Sequence, residues 1–202
     1  MGLHRAGFDV IGIDINPQPR YPFRFVQADA LLPPLDLTKF NFIWASPPCQ
    51  AYSVAAHNER TRGKQYPDLI APIRQMLVQS KIPYVIENVP GSPLIHPTKL
   101  RGTMFPELKV IRERWFETSW FMLQPMQVNE PRSLIRNHGY ISVAGKGTQG
   151  WAYKMGLRWL VDDVRSAMGI NWMSRAELSQ AIPPQYSEYI ARAAIHYYQI
   201  RG

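Results

Sequence analysis

The feature that most constrains the fold is a series of four short apolar runs, each of which ends at polar residues. The runs span residues 8–15, 25–29, 40–45 and 84–86 and are rich in β-branched and aromatic side chains. Runs of this length and composition are typical of strands buried on both faces of a sheet. Before the fourth run, Asp68 precedes apolar residues at helical spacing, which predicts a crossover helix. The pattern therefore predicts an α/β fold with a mostly parallel sheet covered by helices.

The polar residues after these runs predict a binding site. They are Asp14, Asp29, the Pro-Pro-Cys-Gln segment 47–50 and the Glu-Asn-Val segment 87–89. In an open parallel sheet, ligands bind beyond the carboxyl ends of the strands. One acidic residue after a strand is common in turns. A cysteine, a glutamate and two aspartates at successive strand ends indicate a shared site instead.

The cysteine content and the apolar runs exclude several classes of protein. Cys49 is the only cysteine, so the chain forms no internal disulfide and no cysteine-rich zinc site, and we expect no metal. A lone cysteine is usually a small buried apolar residue, so any other role for Cys49 depends on its neighbours. No apolar run is long enough to span a membrane, and the N-terminus lacks a secretion signal. We therefore expect a cytoplasmic protein.

The charge balance favours a polyanionic partner. The chain has 23 Lys and Arg against 15 Asp and Glu, which gives a formal net charge of +8. Neutralising phosphates with basic side chains releases condensed counterions, so such a surplus favours nucleic acid. The alternative is a protein that is merely basic and soluble. Clustering of basic residues in segments 60–64, 109–114 and 132–136 favours the first interpretation.

Two motifs make the sequence similar to a known family, the DNA cytosine-C5 methyltransferases. Segment 45–53, ASPPCQAYS, resembles the catalytic-cysteine motif, and segment 87–89, ENV, resembles the second catalytic motif. Segment 112–114, RER, resembles the basic motif that contacts the substrate strand near the flipped base. Segment 181–184, AIPP, followed by a helix, resembles the closing motif near the cofactor. The order matches over nearly the whole chain, and the likeness is strongest to the compact methylases of phages and prophages. It implies a bacterial or phage-infected host cell.

This resemblance implies a Rossmann-like methyltransferase sheet and methylation of cytosine C5 in double-stranded DNA, with S-adenosylmethionine as cofactor. The Cys49 thiolate would add to carbon 6 of the base, which makes carbon 5 nucleophilic. Glu87 would hold N3 and the exocyclic amine and supply a proton. Arg114 would donate to O2. The target base must leave the duplex for this chemistry, as in other DNA methyltransferases.

The resemblance also implies further site residues. The expected cofactor contacts are Asp14, Ile15, Asp29, Ala30 and Pro48. The expected contacts to the substrate are Gln50, Ser53, Arg60, Arg62, Asn88 and Arg112. Segment 51–66 is predicted to be a mobile loop that closes over DNA, with a solvated basic loop as the alternative.

The chain departs from the family at its start. Family members open with a strand and a glycine-rich turn that hold the methionine part of the cofactor, whereas segment 1–7 resembles the end of the following helix. The absent strand would lie between the strands that end at Asp14 and Cys49. We expect the natural product to begin roughly fifteen residues upstream, and cofactor binding to be weak if it does not.

The remaining expectations concern organisation and alternatives. We predict a catalytic core over residues 1–128, a short loop-rich target-recognition region over 129–175, and a C-terminal motif and helix over 176–202 in a monomer. Three alternatives stay open: methylation of the exocyclic N4 amine, methylation of cytosine in transfer RNA, and a DNA-binding remnant without activity. N4 enzymes share a Ser-Pro-Pro motif but have an aromatic residue where Cys49 stands. Either protection in a restriction-modification system or regulation would fit the activity.

Overall fold

The computed structural model describes residues 1–53, 56–126, 135, 138–143, 156 and 158–201. The strands in chain order are β1 (Ile11–Asp14), β2 (Arg24–Gln27), β3 (Ile43–Ala45), β4 (Tyr84–Asn88), β5 (Thr98–Leu100), β6 (Val110–Ile111), β7 (Arg114–Thr118) and β8 (Ile141–Ser142). The α-helices are α1 (Gly2–Arg5), α2 (His57–Thr61), α3 (Ile70–Ser80), α4 (Val161–Met168), α5 (Arg175–Gln180) and α6 (Pro184–Arg201). Two short 3₁₀ helices span Leu37–Lys39 and Gly102–Met104.

All four predicted strands and the crossover helix are present. Strands β1, β2 and β3 are shorter than their apolar runs, whereas β4 extends two residues beyond its run and includes Glu87 and Asn88. The Asp68 carboxylate accepts a hydrogen bond from the Ile70 amide at 3.1 Å, which supports the start of α3. The helix ends at Ser80, and the following residue Lys81 caps it in a left-handed backbone conformation with φ of 59°. The predicted mobile loop contains helix α2, and its residues 54 and 55 lie outside the described part of the chain.

Parallel strand pairs predominate, as predicted, and strand β7 adds antiparallel pairs. Strands β3 and β4 pair in parallel, as do β1 and β2, whereas β7 is antiparallel to both β4 and β5. The four-stranded sheet has the order β3-β4-β7-β5, and β1 and β2 form a separate pair. Within the described residues, β1 and β3 therefore each have one edge that pairs with no other strand.

Both faces of the four-stranded sheet are buried. Val85 and Phe116 belong to the main core, which α6 and the buried Met168 of α4 cover. Ile86 belongs to a second core with Ile70 and Leu77 of α3. Consecutive residues of β4 thus enter different cores, which explains why Val85 and Ile86 are both apolar.

The N-terminal helix packs closely on the C-terminal one. A Cβ atom at Gly2 would lie 2.0 Å from the Pro184 carbonyl oxygen and 2.1 Å from the Ser187 hydroxyl. Only glycine fits at this contact, so α1 is fixed against the start of α6. In the described part of the chain, no helix has the length and apolar character needed to cross a membrane.

Candidate active site

The two predicted motifs meet at the carboxyl ends of β3 and β4. Ala45 pairs with Ile86 in parallel register, so the next residues of each strand lead to the same edge of the sheet. The Asn88 amide nitrogen donates to the Pro47 carbonyl at 3.0 Å, and the Asn88 side-chain oxygen accepts from the Val89 amide at 2.9 Å. Asn88 is only 1% exposed. Asn88 therefore links the two motifs through a buried hydrogen bond. It was expected to contact the substrate, but its side chain is not at the surface.

Cys49 begins a tight turn at this edge and is partly exposed. Its carbonyl accepts from the amides of Tyr52 and Ser53 at 3.0 and 2.8 Å. The Arg60 guanidinium donates to the carbonyls of Gln50 and Ser53 at 2.6 and 2.8 Å. Arg60 therefore holds the turn that carries the thiol. The sequence predicted Arg60 only as a nucleic-acid contact and gave no signal for this role.

Glu87 and Arg114 form a buried ion pair beside the cysteine turn. Arg114 Nε lies 3.0 Å from a Glu87 carboxylate oxygen, and the two side chains are 15% and 10% exposed. Burial raises the pKa of Glu87 above its ordinary value, although the Arg114 charge and a hydrogen bond from Ser46 oppose the shift. A raised pKa favours the protonated carboxyl, which can donate a hydrogen bond or a proton to a ring nitrogen.

Arg112 does not lie where a phosphate contact requires, so this expectation is corrected. The residue is 3% exposed, and its guanidinium donates to the carbonyls of Val143 and Ser179 at 2.5 and 2.8 Å. Burial lowers the pKa of Arg112 to about 9, with a further contribution from the Arg114 charge. Arg112 instead joins strand β8 and helix α5 to the segment that carries Arg114. The sequence does not show whether Arg112 and Arg114 are exposed or buried, because this depends on which distant elements pack beside the segment.

The helix after the predicted closing motif supports the same segment. The Tyr186 hydroxyl donates to the Arg112 carbonyl at 2.6 Å, and Tyr186 is fully buried. Burial raises the pKa of this hydroxyl, so it remains a hydrogen-bond donor. The C-terminal helix thus fixes the segment that leads to Arg114.

The residues predicted to hold a cofactor lie at the ends of β1 and β2. Asp14 pairs with Gln27 in parallel register, and the Ala28 amide donates to the Asp14 carbonyl at 3.0 Å. Asp29 and Ala30 follow directly and are exposed, and the Asp29 carboxylate accepts from the Leu31 amide at 2.9 Å. Two carboxylates at this edge can accept hydrogen bonds from ribose hydroxyls and an exocyclic amine.

Apolar side chains stand beside these carboxylates. Ile15 is 64% exposed and Leu32 is 80% exposed, which is unusual for large aliphatic residues. Pro48, the remaining predicted cofactor contact, is exposed at the end of β3. Apolar surface next to hydrogen-bond acceptors suits a flat heteroaromatic ring attached to a sugar. The residues therefore fit an adenosyl group.

The other predicted substrate residues lie near the cysteine turn. Gln50 and Arg62 are exposed, and Ser53 is partly buried. The basic residues 132 and 136 of the third cluster lie outside the described part of the chain. Among the residues that the structure covers, no group of three side chains could hold a metal ion.

The comparisons with known proteins give a fold and no closer relationship. No family model matches the sequence, and no curated protein matches it. Among solved structures, the chain is similar to the Spodoptera frugiperda DNMT2 E260A/E261A/K263A mutant, with a TM-score of 0.59 and 13% identity. The alignment covers 96% of this chain and 96% of that chain. Since the two align over nearly their full lengths, this chain has a Rossmann-like α/β fold of the methyltransferase type.

Proposed function

We propose that this chain transfers a methyl group from S-adenosylmethionine to carbon 5 of cytosine in double-stranded DNA, through a covalent adduct of Cys49. The observation that carries this proposal is that a partly exposed thiol follows β3 and a buried Glu87–Arg114 pair lies at the end of the neighbouring parallel strand β4. Similarity of the fold to DNMT2 supports a methyltransferase. The net charge of +8 supports a nucleic-acid substrate.

Each side chain has a defined part in the chemistry. The Cys49 thiolate forms a bond to carbon 6, the ring electrons move towards carbon 5, and the protonated Glu87 carboxyl gives its proton to N3. Arg114 stands beside Glu87 and can donate to the base oxygen O2. S-adenosylmethionine supplies the electrophilic methyl group when bound. Loss of the carbon-5 proton to a base then expels the thiolate, and N3 returns its proton.

The cofactor would be held by the edge of β1 and β2. Asp14 and Asp29 provide acceptors for the ribose and adenine, with Ile15 and Ala30 beside them. Pro48 would face the cofactor from the end of β3. This assignment is supported by the position of the predicted cofactor residues and Cys49 at carboxyl ends of parallel strands, where ligands of this fold class bind.

A mechanism-based trap tests the covalent step. Duplex DNA with 5-fluorocytosine blocks loss of the carbon-5 substituent, so a methylating C5 enzyme remains bound to it after denaturation. We expect such an adduct with the wild-type chain and none with Cys49→Ala, which removes the only thiol. Methylation without a trapped adduct would contradict the C5 proposal and favour the N4 alternative.

The target is identified by bisulfite sequencing of DNA from cells that express the wild-type chain or Cys49→Ala. We expect methylated cytosines in a defined sequence context with the wild type alone. Transfer of labelled methyl groups to transfer RNA but not to duplex DNA would replace DNA by RNA as the substrate. DNA binding by both proteins with methylation by neither would indicate the inactive remnant.

A further inference from the structure

We propose that the ion pair between Arg20 and Glu177 positions the loop that carries Asp14 and thereby strengthens S-adenosylmethionine binding. Arg20 lies in the segment between β1 and β2, and Glu177 lies on α5. Their side chains meet at 2.9 Å across 157 residues of sequence. This inference rests on the proposed function, because it takes the end of β1 as the cofactor edge.

The loop between β1 and β2 is folded onto Asp14 by its own hydrogen bonds. The Asn16 amide donates to one Asp14 carboxylate oxygen at 2.8 Å, and the Gln18 side chain donates to the other at 3.2 Å. The Tyr21 amide then donates to the Gln18 carbonyl at 2.9 Å, which closes a turn. Arg20 lies inside this turn. A constraint on Arg20 therefore acts on Gln18 and, through Gln18, on the orientation of the Asp14 carboxylate.

A second contact holds the end of the loop against β1. The Tyr21 ring lies where a side chain at Gly12 would be, since a Cβ there would be 2.6 Å from the ring. Tyr21 also packs against the rings of Phe23 and Phe25. The loop is thus fixed at Asp14 and at Tyr21, and the turn between them projects towards α5. Arg20 is the third point of attachment.

The Glu177 carboxylate is held in a fixed position for its contact with Arg20. Its carboxylate accepts from the amide and the hydroxyl of Ser174, both at 2.6 Å, in a capping box at the start of α5. These hydrogen bonds, together with Arg20, lower the pKa of Glu177 below its ordinary value. The neighbouring Leu178 is fully buried in the main core. A fixed, ionised carboxylate on an anchored helix restrains its partner at a small entropic cost.

Helix α5 also contacts the opposite part of the site. The Ser179 carbonyl accepts from Arg112, two residues before Arg114. One short helix therefore contacts both the loop at the cofactor edge and the segment that presents Arg114 to Glu87. The side chains of Arg20 and Glu177 contact each other, and we assign them as positioning residues that act through the loop.

The test measures S-adenosylhomocysteine binding by calorimetry, extended to millimolar ligand so that weak binding is also quantified. An exposed ion pair contributes modestly, so we expect Arg20→Ala and Glu177→Gln each to weaken binding about two- to fivefold. Arg20→Lys keeps the charge and should restore most of the affinity. Arg192→Ala removes an exposed Arg–Glu pair of similar length, 2.8 Å, on α6 and should leave affinity unchanged.

The double variant decides whether the two residues act together. If they act through their contact, Arg20→Ala with Glu177→Gln weakens binding no more than either change alone. High salt should reduce the difference between Arg20→Ala and wild type, because salt screens an exposed pair. Additive effects of the two changes, or wild-type affinity in Arg20→Ala, would overturn the positioning role.

Hydrogen exchange measured without ligand distinguishes a positioning role of Arg20 from a direct contact between Arg20 and the cofactor. Hydrogen exchange of the Asn16 and Tyr21 amides should accelerate in Arg20→Ala, because both amides are bonded within the loop. Unchanged exchange there would contradict the inference. Asp14→Ala distinguishes the two proposals: if it leaves binding intact, the cofactor edge itself is wrong. If it abolishes binding while Arg20→Ala does not weaken it, only the positioning role fails.

Discussion

The Arg74–Glu117 pair allows a quantitative prediction about stability that does not depend on the function. Glu117 in β7 is 3% exposed, and its carboxylate accepts two hydrogen bonds from the Arg74 guanidinium of α3, both at 2.7 Å. It also accepts from the Ile95 amide at 2.7 Å, while Arg74 donates to the Pro93 carbonyl at 2.8 Å. The pair therefore joins α3, β7 and the loop that follows the Glu87–Asn88 motif.

Glu117→Ala should be strongly destabilising. It leaves the Arg74 charge, 20% exposed at its side chain, without its carboxylate, and it leaves the Ile95 amide without an acceptor. Breaking a buried pair by removing one partner costs about 3–5 kcal/mol. For a chain of this length, each kcal/mol lowers Tm by about 2–4 °C. We therefore expect Tm to fall by roughly 6–20 °C.

The assay is urea and thermal unfolding followed by circular dichroism. Arg74→Met with Glu117→Met removes both charges and should cost less than Glu117→Ala alone, because no buried charge is left unpaired. The matched control is Arg192→Ala, which removes the pair of an exposed arginine with Glu188 and should change stability by less than about 1 kcal/mol. A loss below about 1 kcal/mol for Glu117→Ala would refute this reasoning, since the ion pair would then contribute no more than a surface pair.

Three further predictions concern packing, pH and the cysteine turn. Gly2→Ala should lower the free energy of unfolding by more than about 1 kcal/mol in urea titrations, because a Cβ there would lie 2.0 Å from the Pro184 carbonyl oxygen. Methyl transfer should decline as pH rises through the raised pKa of Glu87, since the protonated form is lost. Glu87→Gln cannot ionise, so an unchanged alkaline decline in this variant would assign that decline to another group. Arg60→Ala should speed alkylation of Cys49 by iodoacetamide, as the turn loses two hydrogen bonds; an equal alkylation rate would show that Arg60 does not hold the turn.

Much of the site follows from local sequence. The apolar runs predicted β1 to β4, because a strand buried on both faces requires a continuous apolar segment. The parallel pairing of β1 with β2 brings Asp14 and Asp29 to the same end of that pair, and the pairing of β3 with β4 does the same for the Cys49 and Glu87 motifs. Both groupings follow once the strands are known to run in the same direction. The antiparallel pairing of β7 was not predicted, since its residues carry no signal for strand direction.

The sequence by itself determined which chemical groups the chain can offer at its strand ends. Only the tertiary structure decided what each basic residue does. Arg112 is buried by β8 and α5, and Arg60 is bound to the carbonyls of the cysteine turn. Arg20 is paired with a carboxylate 157 residues away. The physical reason is that the partners of a long cationic side chain depend on which distant elements pack beside it, whereas the pairing of neighbouring strands depends on their own apolar pattern.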